Sequence, residues 1–89
     1  MEKSFVNKII EDVYSDFPCC KITYVNEDGE CFFRIKLYIT GKICKINSYI
    51  NIDEFVIAKE RDETYVFVQQ LLHDIEEGAK YFINNKING

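Results

Sequence analysis

A small α+β domain, an antiparallel meander of three or four strands with an N-terminal and a C-terminal helix packed on one face, is the fold that this sequence predicts. Three observations lead to it. Apolar residues recur at helical spacing near both ends of the chain and alternate with polar ones in the middle. The alternating stretch is broken twice by tight-turn signals, Asp28-Gly29 and Gly41-Lys42. The length, 89 residues, suits one domain spanning 1–89.

The first element is a helix from Lys3 to Phe17. Phe5, Val6, Ile9, Ile10, Val13 and Phe17 form one stripe, with Asn7, Lys8, Glu11, Asp12 and Asp16 on the other side. Pro18, the only proline, ends it by pushing the preceding residue out of helical geometry.

Three strands follow, over 20–26, 31–40 and 43–52. With Asp28-Gly29 as a two-residue turn, Cys20 faces Leu37, Ile22 faces Ile35 and Tyr24 faces Phe33. With Gly41-Lys42 as the second turn, glycine first, Leu37 faces Ile46, Ile39 faces Cys44 and Phe33 faces Ile50. Both registers turn the same residues of the middle strand inward. The inward set is Cys20, Ile22, Tyr24, Phe33, Ile35, Leu37, Ile39, Cys44, Ile46 and Ile50. Ser48 falls among them, opposite Ile35, and needs a hydrogen-bond partner if buried. The outward set is Lys21, Thr23, Val25, Phe32, Arg34, Lys36, Tyr38, Lys45, Asn47 and Tyr49, with the rows Thr23–Arg34–Tyr49, Val25–Phe32–Asn51 and Lys21–Lys36–Asn47, and Tyr38 across from Lys45.

The run Phe55-Val56-Ile57-Ala58 predicts a short fourth strand at the sheet edge, a crossover being the alternative. Asp62 then reads as the N-cap of a long helix from Glu63 to about Asn85. Its stripe is Val68, Leu72, Ile75, Ala79 and Phe82, widened by Phe67, Leu71 and Tyr81. Gly78 inside it implies a kink or a close contact. Asn84, Asn85, Asn88 and Gly89 read as a frayed end.

Composition bounds the function. Apolar residues make up 47%, which argues against general disorder, and no stretch is apolar and long enough for a membrane span. The start, Met1-Glu2-Lys3-Ser4, lacks the pattern of a signal peptide, so a reducing cytoplasm is the expected setting. Cys19, Cys20, Cys31 and Cys44 are then expected as reduced, mostly buried thiols. Their spacing, an adjacent pair followed by two isolated residues, converges poorly on a metal.

The net charge is −4, but it is unevenly spread. Residues 20–49 hold five basic residues against three acidic ones; the remainder holds six against twelve. The pattern predicts an acidic helical layer, with Glu11, Asp12, Asp16, Asp74, Glu76 and Glu77, and a basic, aromatic sheet face, with Phe32, Arg34, Lys36, Tyr38, Lys45 and Tyr49. Both are candidate partner-binding surfaces, since aromatic and Arg side chains are enriched at interface cores.

Catalytic and metal residues are not predicted, and no cofactor is implied. His73, the only histidine, lies beside Asp74 with no nucleophile near in sequence. The four glycines are isolated, so no phosphate-cradling loop exists. Asp53-Glu54 and Glu76-Glu77 are adjacent carboxylates and do not face each other across a cleft.

The layout, with its Asn26-Glu27-Asp28-Gly29 hairpin and acidic helices, resembles small phage-encoded anti-defence proteins, including some anti-CRISPR inhibitors. The likeness spans most of the chain as layout and carries over no family site residue. It implies a cytoplasmic inhibitor or adaptor whose partner is a larger host protein, a nuclease or nucleic-acid-binding protein, with acidic side chains imitating phosphates. The same order also resembles double-stranded RNA-binding domains, but where those carry lysines at the start of the last helix this chain reads Asp62-Glu63-Thr64-Tyr65. Direct nucleic-acid binding therefore ranks second, in a single-strand mode with Phe32 and Tyr49 stacking bases while Arg34 and Lys36 hold the backbone. An immunity protein or antitoxin is the third reading. A homodimer through Phe67, Leu71, Tyr81 and Ile83 is a further expectation, and no membrane partner is expected.

Overall fold

The computed structural model describes residues 2–87. Helix α1 (Glu2–Asp16) leads into strands β1 (Cys20–Glu27), β2 (Glu30–Ile39) and β3 (Lys42–Tyr49), followed by helices α2 (Ile52–Arg61) and α3 (Tyr65–Phe82) and a π-helical turn over Ile83–Ile87. The three strands form one antiparallel sheet in the order β1-β2-β3. The expected α+β meander is thus present, with three strands.

The first hairpin has the expected register, Cys20 opposite Leu37 through Glu27 opposite Glu30. The second is shifted by two residues from expectation: Leu37 lies opposite Cys44 and Phe33 opposite Ser48. The turn is Thr40-Gly41 rather than Gly41-Lys42. Both its residues have positive φ, 47° and 78°, as do Asp28 and Gly29 at 51° and 78°. Glycine thus takes the second position of both turns, the pattern of a type I′ bend. A two-residue shift keeps every side chain on its face, so the inward set survives while its partners change.

The helices cover one face. Phe5, Val6, Ile9 and Val13 of α1 and Phe67, Val68, Leu71 and Ile75 of α3 pack on Ile22, Phe33, Ile35, Leu37 and Cys44. Rings join the layers: Phe55 meets Phe5 edge-on at 5.4 Å and Phe67 at 5.5 Å, and Tyr24 stacks on Phe55 at 6.0 Å. Such contacts contribute about 0.5–1.5 kcal/mol each beyond area burial. Phe17 lies past the end of α1 and is exposed, outside the stripe predicted for it.

The predicted fourth strand is a helix. Asn51 caps α2, its side-chain oxygen accepting from the Glu54 backbone N–H at 3.1 Å. Asp53 and Glu54 in the first turn and Lys59 and Arg61 in the last suit the helix dipole. Asp62 is accordingly the C-cap of α2, left-handed at φ 54°, and not the N-cap of the next helix. Its carboxylate instead binds Lys8 of α1 at 2.8 Å. Helix α3 starts at Tyr65, two residues later than expected, with no side-chain cap from Thr64. Asn84 and Asn85 belong to the π-helical turn rather than a frayed end; Asn88 and Gly89 lie outside the described residues.

Gly78 marks a close contact, as its position implied. A Cβ there would stand 2.5 Å from Ile46 Cδ1. Both outer strands are tied to helices through polar side chains. The Tyr14 hydroxyl accepts from the Ile22 backbone N–H at 2.9 Å, and the Gln70 amide donates to the Tyr49 carbonyl at 2.7 Å. No helix among the described residues is long and apolar enough to cross a membrane.

Candidate functional face of the sheet

With both helical layers on one side, the outward side chains of the three strands make an open face. The corrected register arranges it in rows. Lys21, Lys36 and Lys45 stand directly opposite one another across all three strands. The next row is Thr23–Arg34–Asn47 and the one beyond it Val25–Phe32–Tyr49. On the other side of the lysines, Tyr38 pairs with Ile43. These rows replace those expected from sequence, where Asn47 stood beside Lys36 and Tyr49 beside Arg34.

The shift concentrates positive charge. Three ammonium groups occupy one row, where like charges directly opposite destabilise a sheet. Neither these lysines nor Arg34 belongs to either of the two ion pairs found among the described residues, Lys8–Asp62 and Lys80–Glu76. The carboxylates at outward strand positions are Glu27 and Glu30, paired at the far end of the first hairpin. Lys36, in the middle, is half-buried, while Lys21 and Lys45 are exposed.

The aromatic residues divide into floor and surface. Phe32 is 8% exposed, so it is not itself the accessible ring that the sequence implied. Val25 and Tyr49 flank it, the Tyr49 ring at 5.1 Å, and the Arg34 guanidinium lies 5.6 Å from its centroid. That seat holds Tyr49 and Arg34 at the surface. Tyr49 is 56% exposed and Tyr38 60%.

The acidic residues of the helices do not form one comparable surface. Glu11, Asp12, Asp16 and Glu77 are exposed, and Glu76 pairs with Lys80 at 3.3 Å. Asp74 is turned inward. Ser48, 1% exposed, donates to its carboxylate at 2.5 Å and accepts from Gln70 at 3.3 Å. The partner that a buried Ser48 required is therefore Asp74, opposite a sheet position now paired with Phe33.

Depressions lined by the described residues include the following three. One, of about 500 Å³, lies between α1 and α3, where His73 sits with Asp16, Glu76 and Gln69 beside Phe17 and Leu72. No serine, threonine or cysteine lines it. A second, of about 320 Å³, is mainly apolar and runs from Phe17 and Cys19 past Leu37 to Ala79 and Ile83. A third, of about 230 Å³, lies between α2 and the sheet end, by Cys31, Ile50 and Val56. Among the described residues no three His, Cys, Asp or Glu side chains are grouped to hold a metal ion.

All four cysteines are free thiols, Cys20 and Cys44 buried and Cys19 exposed. Burial, reinforced by neighbouring Cys19, pushes the Cys20 thiol up in pKa against an opposing backbone hydrogen bond; burial alone raises Cys44. Both thiols pack in the core, and Cys20 Sγ donates to the Phe17 carbonyl at 3.0 Å.

Two of the four residues expected to form a self-association strip on the last helix are covered within the fold. Phe67 and Leu71 are buried, because α3 packs against α1 on one flank and the sheet on the other. Tyr81 of the expected strip is exposed at 69% and Ile83 is half-buried; other exposed apolar side chains lie on α2 (Ile52, Val56, Ile57) and at the start of α3 (Tyr65, Val66). Ile52, Val56 and Ile57 share an exposed side of α2 because the run is helical, with Phe55 its one buried residue. Compared with known proteins, the chain matches no family, no curated protein and no solved structure.

Proposed function

We propose that this chain is a small non-catalytic binding module that works by docking a larger partner on the open face of its sheet. One observation carries the reading: the Lys21–Lys36–Lys45 row, extended by Arg34 and without an acidic neighbour, between two exposed tyrosines. Aligned like charges lower stability locally, and departures from local consistency concentrate at functional sites. An anionic partner relieves the repulsion, and Tyr38 and Tyr49 supply contact area at small entropic cost. The helical carboxylates favour the acidic-inhibitor reading less, since Asp74 is used inside the fold and Glu76 is paired.

The test is affinity capture from lysate of the cell that expresses the gene, with three baits side by side. These are the parent, Arg34→Glu with Lys36→Glu, and Glu76→Lys with Glu77→Lys. A partner held by the parent and by the helix variant but lost from the sheet variant is the expected result. A partner lost only when Glu76 and Glu77 are reversed places the working surface on the helices and overturns the reading.

A further inference from the structure

We propose that the ligand of the sheet face is a single-stranded nucleic acid, an inference that rests on the docking role of that face. The charge pattern fits a chain of phosphates. Adjacent strands lie about 4.8 Å apart, so the lysine row crosses the sheet over about 10 Å, and Arg34 stands one row, about 7 Å, further on. Four cations thus line a short continuous track. Glu30 is four residues from Arg34 along β2, about 13 Å, beyond the Debye length of about 8–10 Å near physiological salt. The track is therefore cationic in its own right, although the whole chain carries −4.

The rings fit bases. Tyr49 on its Phe32 seat lies on one side of the lysine row and Tyr38 on the other, both open to solvent. Cations that follow a backbone, flanked by aromatic platforms, are the recurring arrangement for unpaired strands. A duplex does not offer its base faces to such rings. A protein partner fits less well, because the cores of protein interfaces are depleted in lysine and three aligned ammonium groups would lose their water there. Phosphates neutralise each cation separately and leave the row partly hydrated.

The experiment measures fluorescence anisotropy of the full chain with four labelled probes. These are oligodeoxythymidine and oligouridine of about 15 nucleotides, a duplex of the same length, and polyglutamate. The expected result is binding of a single strand, weaker for the duplex, with a log–log salt slope of about −2.8 for four cations. Between about 50 and 200 mM salt that slope gives about a 50-fold loss. Lys21→Gln, Lys36→Gln and Lys45→Gln together should reduce the slope to about −0.7. Tyr49→Ala should weaken binding about 5- to 150-fold. The control Lys59→Gln, Arg61→Gln and Lys80→Gln changes net charge equally away from the sheet and should keep the parent slope. Circular dichroism checks that every variant is folded. Binding of the parent to neither single strand overturns the inference, as does equal affinity for the duplex or indifference to the triple sheet variant. If polyglutamate alone binds, and depends on the three lysines, the docking face stands while its nucleic-acid ligand falls. If no probe binds, the nucleic-acid ligand falls, and the lysate capture alone decides the docking face.

Discussion

Thr40 holds a backbone conformation that a β-branched side chain resists. Its φ of 47° is left-handed, and it precedes Gly41 in a turn where asparagine or aspartate is the usual first residue. The matching turn has Asp28 there. Thr40→Asn should therefore raise stability by about 0.5–1 kcal/mol, seen as a higher urea midpoint at unchanged slope. An unchanged or lower midpoint would mean that the Thr40 hydroxyl, donating to the Ile39 carbonyl at 2.8 Å, already offsets the strain. The same residue explains why the second register was legible only to within two positions. Glycine tolerates either central position, and a threonine gives no sign that it will accept positive φ. Ser48 was easier to read, because strand parity alone puts it inside and burial demands a partner. Which side chain would supply it depended on how α3 lies across β3, and no local pattern encodes that.

Helix α2 hangs on one ring. Phe55 is its only buried residue, set among Phe5, Tyr24 and Phe67. Phe55→Ala should lower stability by about 3–5 kcal/mol if the helix stays docked, and by less if α2 detaches. Hydrogen exchange distinguishes these outcomes. We expect amides of 52–61 to lose protection while those of β2 keep theirs. Retained protection in α2 would show that its Asn51 cap and the Lys8–Asp62 pair suffice to hold it. At this scale the sheet and α1 were legible, because alternation, helical spacing and Asp28-Gly29 all agree. Residues 52–61 were not, because Phe55-Val56-Ile57-Ala58 is an unbroken apolar run of the kind that buried strands share. The deciding signal stood just upstream. Asn51, with Glu54 three residues on, is a helix-start pattern, and Lys59 and Arg61 complete the dipole match. Asp62 is a good helix-start residue by type, yet its left-handed backbone makes it the end of α2.

Across the whole molecule, charge of one sign is held on the sheet face against a net excess of the other. If the lysine row stores repulsion, Lys36→Gln should stabilise the fold by about 0.2–1 kcal/mol for each of its two like-charged pairs. The gain should shrink as salt rises. Thermal melts at low and high ionic strength measure it; a loss of stability at both would mean that packing of the Lys36 stem outweighs the repulsion. The segregation itself was legible from which segments hold the basic residues. The three-lysine row was not, because it needs the observed register, in which Lys45 rather than Asn47 meets Lys36. That two-residue offset has a consequence for what fixes the register. Moving the two-residue bend by one position along the chain re-deals the neighbours on the open side and keeps every side chain on its own face. What pins β3 at its present setting is therefore the covered side, where Ile46 fits against Gly78 and Ser48 meets Asp74.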